Sequence, residues 1–152
     1  MADIALVGSG YLTKLLVILL WFNQVIAVGE VLMLGQAGGL RPAHLRKALL
    51  CGPASSAFVH DVVPSLLAGD RLAEFGLDRI VEELASLEDF EDRNRIPARM
   101  TSLVASLHRE TLARFGPING ELLAISHLEQ LSGRHLGDHA DATPGRPGRA
   151  DG

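Results

Sequence analysis

Few residues in this chain combine a reactive side chain with a spacing that could do chemistry, and each also has a plain structural reading. Gly8-Ser9-Gly10 follows a short apolar stretch, as the glycine turn of a dinucleotide-binding loop would. That loop requires a βαβ unit whose second strand ends in an acid, whereas a long apolar run follows Gly10, so the glycines read as the approach to a helix capped near Ser9. Lys14 is set among Leu12, Leu15 and Leu16. A lysine partly desolvated by such neighbours titrates nearer working pH and can act as a general acid or base, while a solvated lysine on the first turn of a helix fits the same residues equally well. Ser55 and Ser56 are placed to cap a helix.

The remaining polar groups read as structural. Cys51, the single cysteine, cannot form an internal disulfide and has no basic neighbour to activate it, so it reads as a small buried hydrophobe. His44, His60, His108 and His127 lack ligand spacing and read as surface or cap groups, and no Cys/His pattern suggests a metal site. Glu30 reads as a carboxylate satisfied in the core or at a dimer interface.

Composition sets the frame around these residues. With 152 residues, 47% apolar and only 5% aromatic, the chain has room for one domain with a core of aliphatic side chains, which favours helices packed on helices. A net charge of −4 with scattered basic residues lacks the footprint of a nucleic-acid binder. Cysteine usage fits a reducing, cytoplasmic compartment. The segment 15–34 is long enough to span a bilayer, but Asn23, Gln24 and Glu30 lie within it, so a buried soluble helix is expected and a membrane partner is not.

The elements follow from periodicity and punctuation. A helix from Tyr11 to about Gly35 carries apolar residues on nearly every face and should be buried all round, more than one small monomer can cover, so a homodimer is expected. A short helix spans His44 to Cys51. A third runs from the serines to about Leu67 with Pro64 as a kink or break. Leu77, Ile80, Val81, Leu84, Leu87 and Phe90 mark one stripe of an amphipathic helix. The next helix, Pro97 through Phe115, turns Met100, Leu103, Val104, Leu107 and Leu112 inward, and a last one covers about Gly120 to Leu131. The expected organisation is a connector at 1–8, a helical domain at 9–136 and a disordered tail at 137–152.

The segment 7–39 resembles the opening of the C-terminal helical domain of the 3-hydroxyisobutyrate dehydrogenase family, the β-hydroxyacid dehydrogenases related to 6-phosphogluconate dehydrogenase and imine reductases. Gly8, Gly10, Lys14, Glu30, Ala37 and Gly38 match its glycine-lysine run, a recurrent Glu and an Ala-Gly pair. The order continues with Gly52 to Ser56, Phe75 to Leu84, Ile96-Pro97 and Gly116 to Leu122, so the resemblance covers about residues 4 to 131. It implies an all-α domain, 6-phosphogluconate-dehydrogenase C-terminal-like, that dimerises and closes a substrate cleft against a Rossmann domain holding NAD or NADP. It also implies that Lys14 is the catalytic lysine acting on the substrate hydroxyl or carbonyl, and that Ser55 and Ser56 lie near the substrate. No cofactor-binding residue is assigned to this chain, whose resemblance does not include the Rossmann half.

Two features depart from the family pattern. Ile18 stands where the family carries a substrate-orienting Asn, and Glu82-Glu83 where it carries a Lys-Asp pair whose lysine reaches the cofactor. The expected function is therefore the dimerisation and substrate-cleft domain of an NAD(P)-dependent hydroxyacid dehydrogenase or reductase, not self-sufficient for hydride transfer and dependent on a separate Rossmann subunit. A repurposed domain performing non-redox chemistry on a small organic molecule at Lys14, and a catalytically dead interaction module, are the alternatives.

Overall fold

The computed structural model describes residues 2–137, with side chains from Gly8 onward. The expected tail lies almost wholly outside the described residues. Among these there are six α-helices, one π-helical turn and no strand: α1 (Ala2–Ala37), α2 (Pro42–Leu50), the π turn (Phe58–Val62), α3 (Val63–Leu67), α4 (Leu77–Asn94), α5 (Arg99–Phe115) and α6 (Leu123–Ser132). The fold is all-α, as the patterning predicts.

Helix α1 is the axis of the domain, and it begins at Ala2 rather than at Ser9. Ser9 is inside the helix, where its carbonyl accepts a hydrogen bond from Thr13 Oγ1 at 2.7 Å instead of its side chain acting as a cap. Leu15, Phe22, Val25, Ile26, Leu32 and Met33 are buried against the other helices. Leu16, Val17, Leu20, Val31 and Leu34 remain exposed, so the expectation of burial on every face fails within one chain. The helix is long and apolar enough to cross a membrane by length and composition alone.

α6 lies close on α1 because Gly29 leaves space there: a Cβ at that position would stand 2.9 Å from Ile125 Cγ1. The break predicted at Pro64 takes the form of a change of register. Pro64 supplies no backbone N–H, and the chain passes from the wider π turn into α3 at this point, with the Val63 amide donating to the Phe58 carbonyl.

α4 and α5 form an antiparallel pair over α1. On α4 the predicted stripe is buried at Leu77, Ile80, Leu84 and Leu87, while Phe90 is exposed. On α5 the buried face is Thr101, Val104, Ala105, His108 and Thr111, leaving Met100 and Leu103 in solvent. Small residues on that face let α5 approach its neighbours closely, and this outweighs the larger but misplaced apolar groups.

His108 corrects the surface reading most sharply. It is fully buried, its ring packed edge-on against Phe22 at 4.9 Å and its Nδ1 2.8 Å from the Val104 carbonyl. Burial lowers its pKa from 6.5 to about 4. His127 is also buried, 3.2 Å from Glu110, whereas His44 and His60 are exposed as expected. Cys51, expected to be buried, is exposed just after α2, and Glu30 faces solvent beside α6 rather than the core.

Candidate active site

One end of the domain is closed by two loops joined along their backbones. The segment 71–77 enters α4, and 116–122 enters α6. Leu77 N donates to Ile118 O, Gly120 N to Phe75 O, Glu121 N to Leu72 O and Leu122 N to Arg71 O, at 2.9–3.1 Å. Gly76 and Asn119 form an isolated antiparallel bridge within this zipper. Gly120 is required here by its φ of +155°, and any Cβ would strike the Leu123 side chain.

The zipper holds Phe75 and Glu121 against the exposed side of α1. Together with Val17, Ile18, Trp21 and Phe22 they line a cleft of about 310 Å³. Five of its six walls are hydrocarbon or aromatic, and Glu121 is the one ionisable group among them. Burial first, then the neighbouring Glu74 carboxylate, raises the pKa of Glu121 above the usual carboxylate range. The Trp21 indole N–H is buried and makes no hydrogen bond of standard geometry, yet it lies near enough to the Glu121 carboxyl to offset part of that rise. The other edge of Trp21 packs on Phe58 of the π turn, with ring centroids 5.1 Å apart.

Lys14 lies one turn before Ile18, about 6 Å along the axis of α1. Its Nζ is 3.1 Å from Glu83 Oε1, and Arg79 Nε reaches the same oxygen at 3.7 Å. The guanidinium of Arg79 also covers the Phe75 ring, 5.0 Å from its centroid, which ties the charged cluster to the wall of the cleft. Lys14 is 47% exposed, so the desolvation expected from Leu12, Leu15 and Leu16 is partial: Leu15 turns into the core and Leu16 into solvent. Glu83 is buried, and its Oε2 has no partner among the described residues. That oxygen is enclosed by protein atoms, so Glu83 acts on Lys14 and Arg79 through Oε1.

Of the residues singled out in the sequence, Ile18 is in the wall of the cleft, and Lys14 lies one turn away on α1, outside its lining. Ser56 serves as a cap, its Oγ accepting from Val59 N at 3.1 Å, and Ser55 is exposed; neither lines the cleft. Glu82 points to solvent while Glu83 turns inward to Lys14, so the two acids that replace the family's Lys-Asp pair have different roles. Glu121 and the Lys14–Glu83 pairing were missed by sequence reasoning. The acid in the matched Gly116 to Leu122 pattern was the available signal for Glu121, and no local signal links Lys14 to a residue on α4.

The site can be placed among known proteins. Residues 8–128 match the family described as the NAD-binding domain of NADP-dependent 3-hydroxyisobutyrate dehydrogenase. The chain belongs to that family. The 3-hydroxyisobutyrate dehydrogenase of Salmonella typhimurium shares its fold, with a TM-score of 0.67 at 16% identity over 76% of this chain. The chain spans 40% of that dehydrogenase. No match is found among curated proteins.

An NAD-binding family raises the question of which part of a dinucleotide these residues fit. Gly8 and Gly10 are inside α1, where backbone N–H groups are taken up by i→i−4 hydrogen bonds and cannot cradle a pyrophosphate. The described residues contain no strand and therefore no βαβ unit. The described residues therefore offer no Rossmann-type phosphate cradle.

Proposed function

We propose that the chain is the substrate-cleft half of an NAD(P)-dependent hydroxyacid dehydrogenase or reductase-like protein, completed by a Rossmann domain that carries the dinucleotide. The observation that carries this reading is the half-exposed Lys14, one turn from Ile18 in the wall of an apolar cleft and paired with the buried carboxylate of Glu83. In this arrangement Lys14 exchanges a proton with the substrate hydroxyl or carbonyl. Glu83 holds the ammonium in place, and the walls from Val17 to Phe75 exclude water from the reacting carbon.

The proposal includes a homodimer in which the exposed row Leu16, Leu20, Val31 and Leu34 of α1 is shared between two copies. A row of this kind on a helix axis is an unusual expanse for a soluble monomer. Leu20→Asp together with Leu34→Asp should give a monomer by light scattering. An unchanged mass would remove this part of the proposal.

Activity tests the rest. With 3-hydroxyisobutyrate and NADP, the purified chain should turn over only when a Rossmann domain from a related dehydrogenase is added, and Lys14→Met should abolish that turnover. Turnover by the chain alone would refute its dependence on a nucleotide-binding partner. Full activity of Lys14→Met would refute the site.

A further inference from the structure

We propose that Arg79 binds the carboxylate of the hydroxyacid, beside the hydroxyl that meets Lys14, with the substrate's apolar substituent directed along α1 toward Ile18 and Trp21. This inference rests on the reading of Lys14 and the cleft as a substrate site, and adds the group that recognises the acid. Lys14 Nζ and Arg79 Nε both approach Glu83 Oε1, at 3.1 and 3.7 Å. Two cations thus share one carboxylate oxygen, and the cluster of the three side chains carries a positive charge in excess. A substrate anion supplies the balance.

The two cations are held differently. Lys14 donates a hydrogen bond to Glu83, whereas Arg79 is 62% exposed, its contact is longer than a hydrogen bond, and its guanidinium makes no hydrogen bond among the described residues. An exposed ion pair of that length stabilises little, so turning toward a substrate carboxylate costs little. Phe75 restrains the guanidinium instead: the Arg79 fork lies over its ring, 5.0 Å from the centroid, and Phe75 packs against the core. A guanidinium restrained in this way loses less freedom on binding, and its unengaged donors can offer two parallel N–H groups to a carboxylate.

The surroundings fix the orientation of the substrate. Lys14, Ile18 and Trp21 follow one another at i, i+4 and i+7 along one face of α1, over about 10 Å. The cationic pair is at the Lys14 end, and Glu121 lines the cleft beside Trp21 at the other. Between them the wall is hydrocarbon, with Val17, Ile18 and Phe75. The carboxylate is therefore stabilised at the Arg79 end, and the substituent extends over Ile18, which has no polar group to offer it. Because Lys14 and Arg79 share an oxygen, a hydroxyl and a carboxylate on the same short chain reach both.

Trp21 is the single tryptophan and lines the cleft, so its emission reports a substituent lodged there. The probes are 3-cyclohexyl-3-hydroxypropanoate and its uncharged methyl ester, titrated into the full chain at about pH 8, where the acid is ionised. The acid should shift Trp21 emission saturably and bind about tenfold more tightly than the ester. Arg79→Gln should abolish that preference, weakening the acid about tenfold and the ester less than about twofold. Arg79→Lys, which keeps the charge but not the fork, should retain part of the preference. Equal affinity for acid and ester, or a preference that persists in folded Arg79→Gln, would overturn the inference while leaving the cleft a ligand site. Parallel loss of acid and ester in Arg79→Gln would reduce Arg79 to a brace for Phe75 and overturn it as well. Absence of a saturable response to both probes would overturn the reading of the cleft together with this inference.

Discussion

Glu83 and Glu129 are both buried carboxylates on helices, each facing a cation, and the difference between them separates a group that holds the fold from one that is available for chemistry. Both oxygens of Glu129 are used: Oε2 accepts from Arg71 Nη2 at 3.2 Å, while Oε1 accepts from the Leu136 amide at 2.7 Å and lies 3.3 Å from His135. Arg71 is itself fixed by Ser126 and by the carbonyls of Leu66 and Asp70. This network ties α3, α6 and the segment after α6 together. Glu83 has one oxygen shared by Lys14 and Arg79 and the other buried without a partner among the described residues, and both of its cations are substantially exposed. Saturation marks the structural acid, and a carboxylate engaged through one oxygen beside a half-exposed lysine marks the candidate functional one.

The largest effect should come from breaking the saturated side. Glu129→Ala strands the Leu136 amide and leaves Arg71 without its acid, and should cost about 3–5 kcal/mol of unfolding free energy in urea titration. A loss below about 1 kcal/mol would mean that saturation is not what anchors this end.

His108 sharpens the comparison with a group that is buried and uncharged. Its folded pKa of about 4 lies below the unfolded 6.5, so the unfolded chain takes up the proton first as the solution is acidified. Its contribution is therefore fully present above pH 6.5, falls as pH drops toward 4 and is exhausted below that, an effect of about 3 kcal/mol. Stability measured across this window should lose that much of its slope in His108→Leu. An unaltered pH profile would place the acid sensitivity elsewhere.

The partly engaged side should show the smallest effect on folding and a large one on function. Glu83→Gln should change stability by no more than about 1 kcal/mol, because its partners are half in solvent. Turnover in the reconstituted assay should nevertheless fall at least about tenfold, equivalent to 1.4 kcal/mol of transition-state binding. If stability fell as it does in Glu129→Ala while turnover held, the two acids would have to exchange roles.

Much of the helical scaffold was legible from sequence because it depends on local signals. The α4 stripe, the stop at Phe115 before Gly116-Pro117 and the break at Pro64 all follow from periodicity or backbone chemistry within a few residues. The face of α5 was misread because Met100 and Leu103 outweigh Thr101 and Ala105 in hydrophobicity, whereas close helix contact favours the smaller pair. His108 was misread because the Phe22 that encloses it comes from a distant part of the chain. Lys14 was found through its motif, but its partner on α4 is fixed only by tertiary packing. Glu121 reaches the cleft through backbone bonds between two loops, which leave no periodic trace.

The loop zipper has an evolutionary consequence. Because main-chain groups join 71–77 to 116–122, the side chains at 74 and 121 are not needed to keep the loops together and are open to exchange, while Gly120 and the core-packed Phe75 are not. The zipper behaves as a cassette: lineages that keep the same helices can install different charge or bulk at these positions and move to a new ligand repertoire without rebuilding the scaffold.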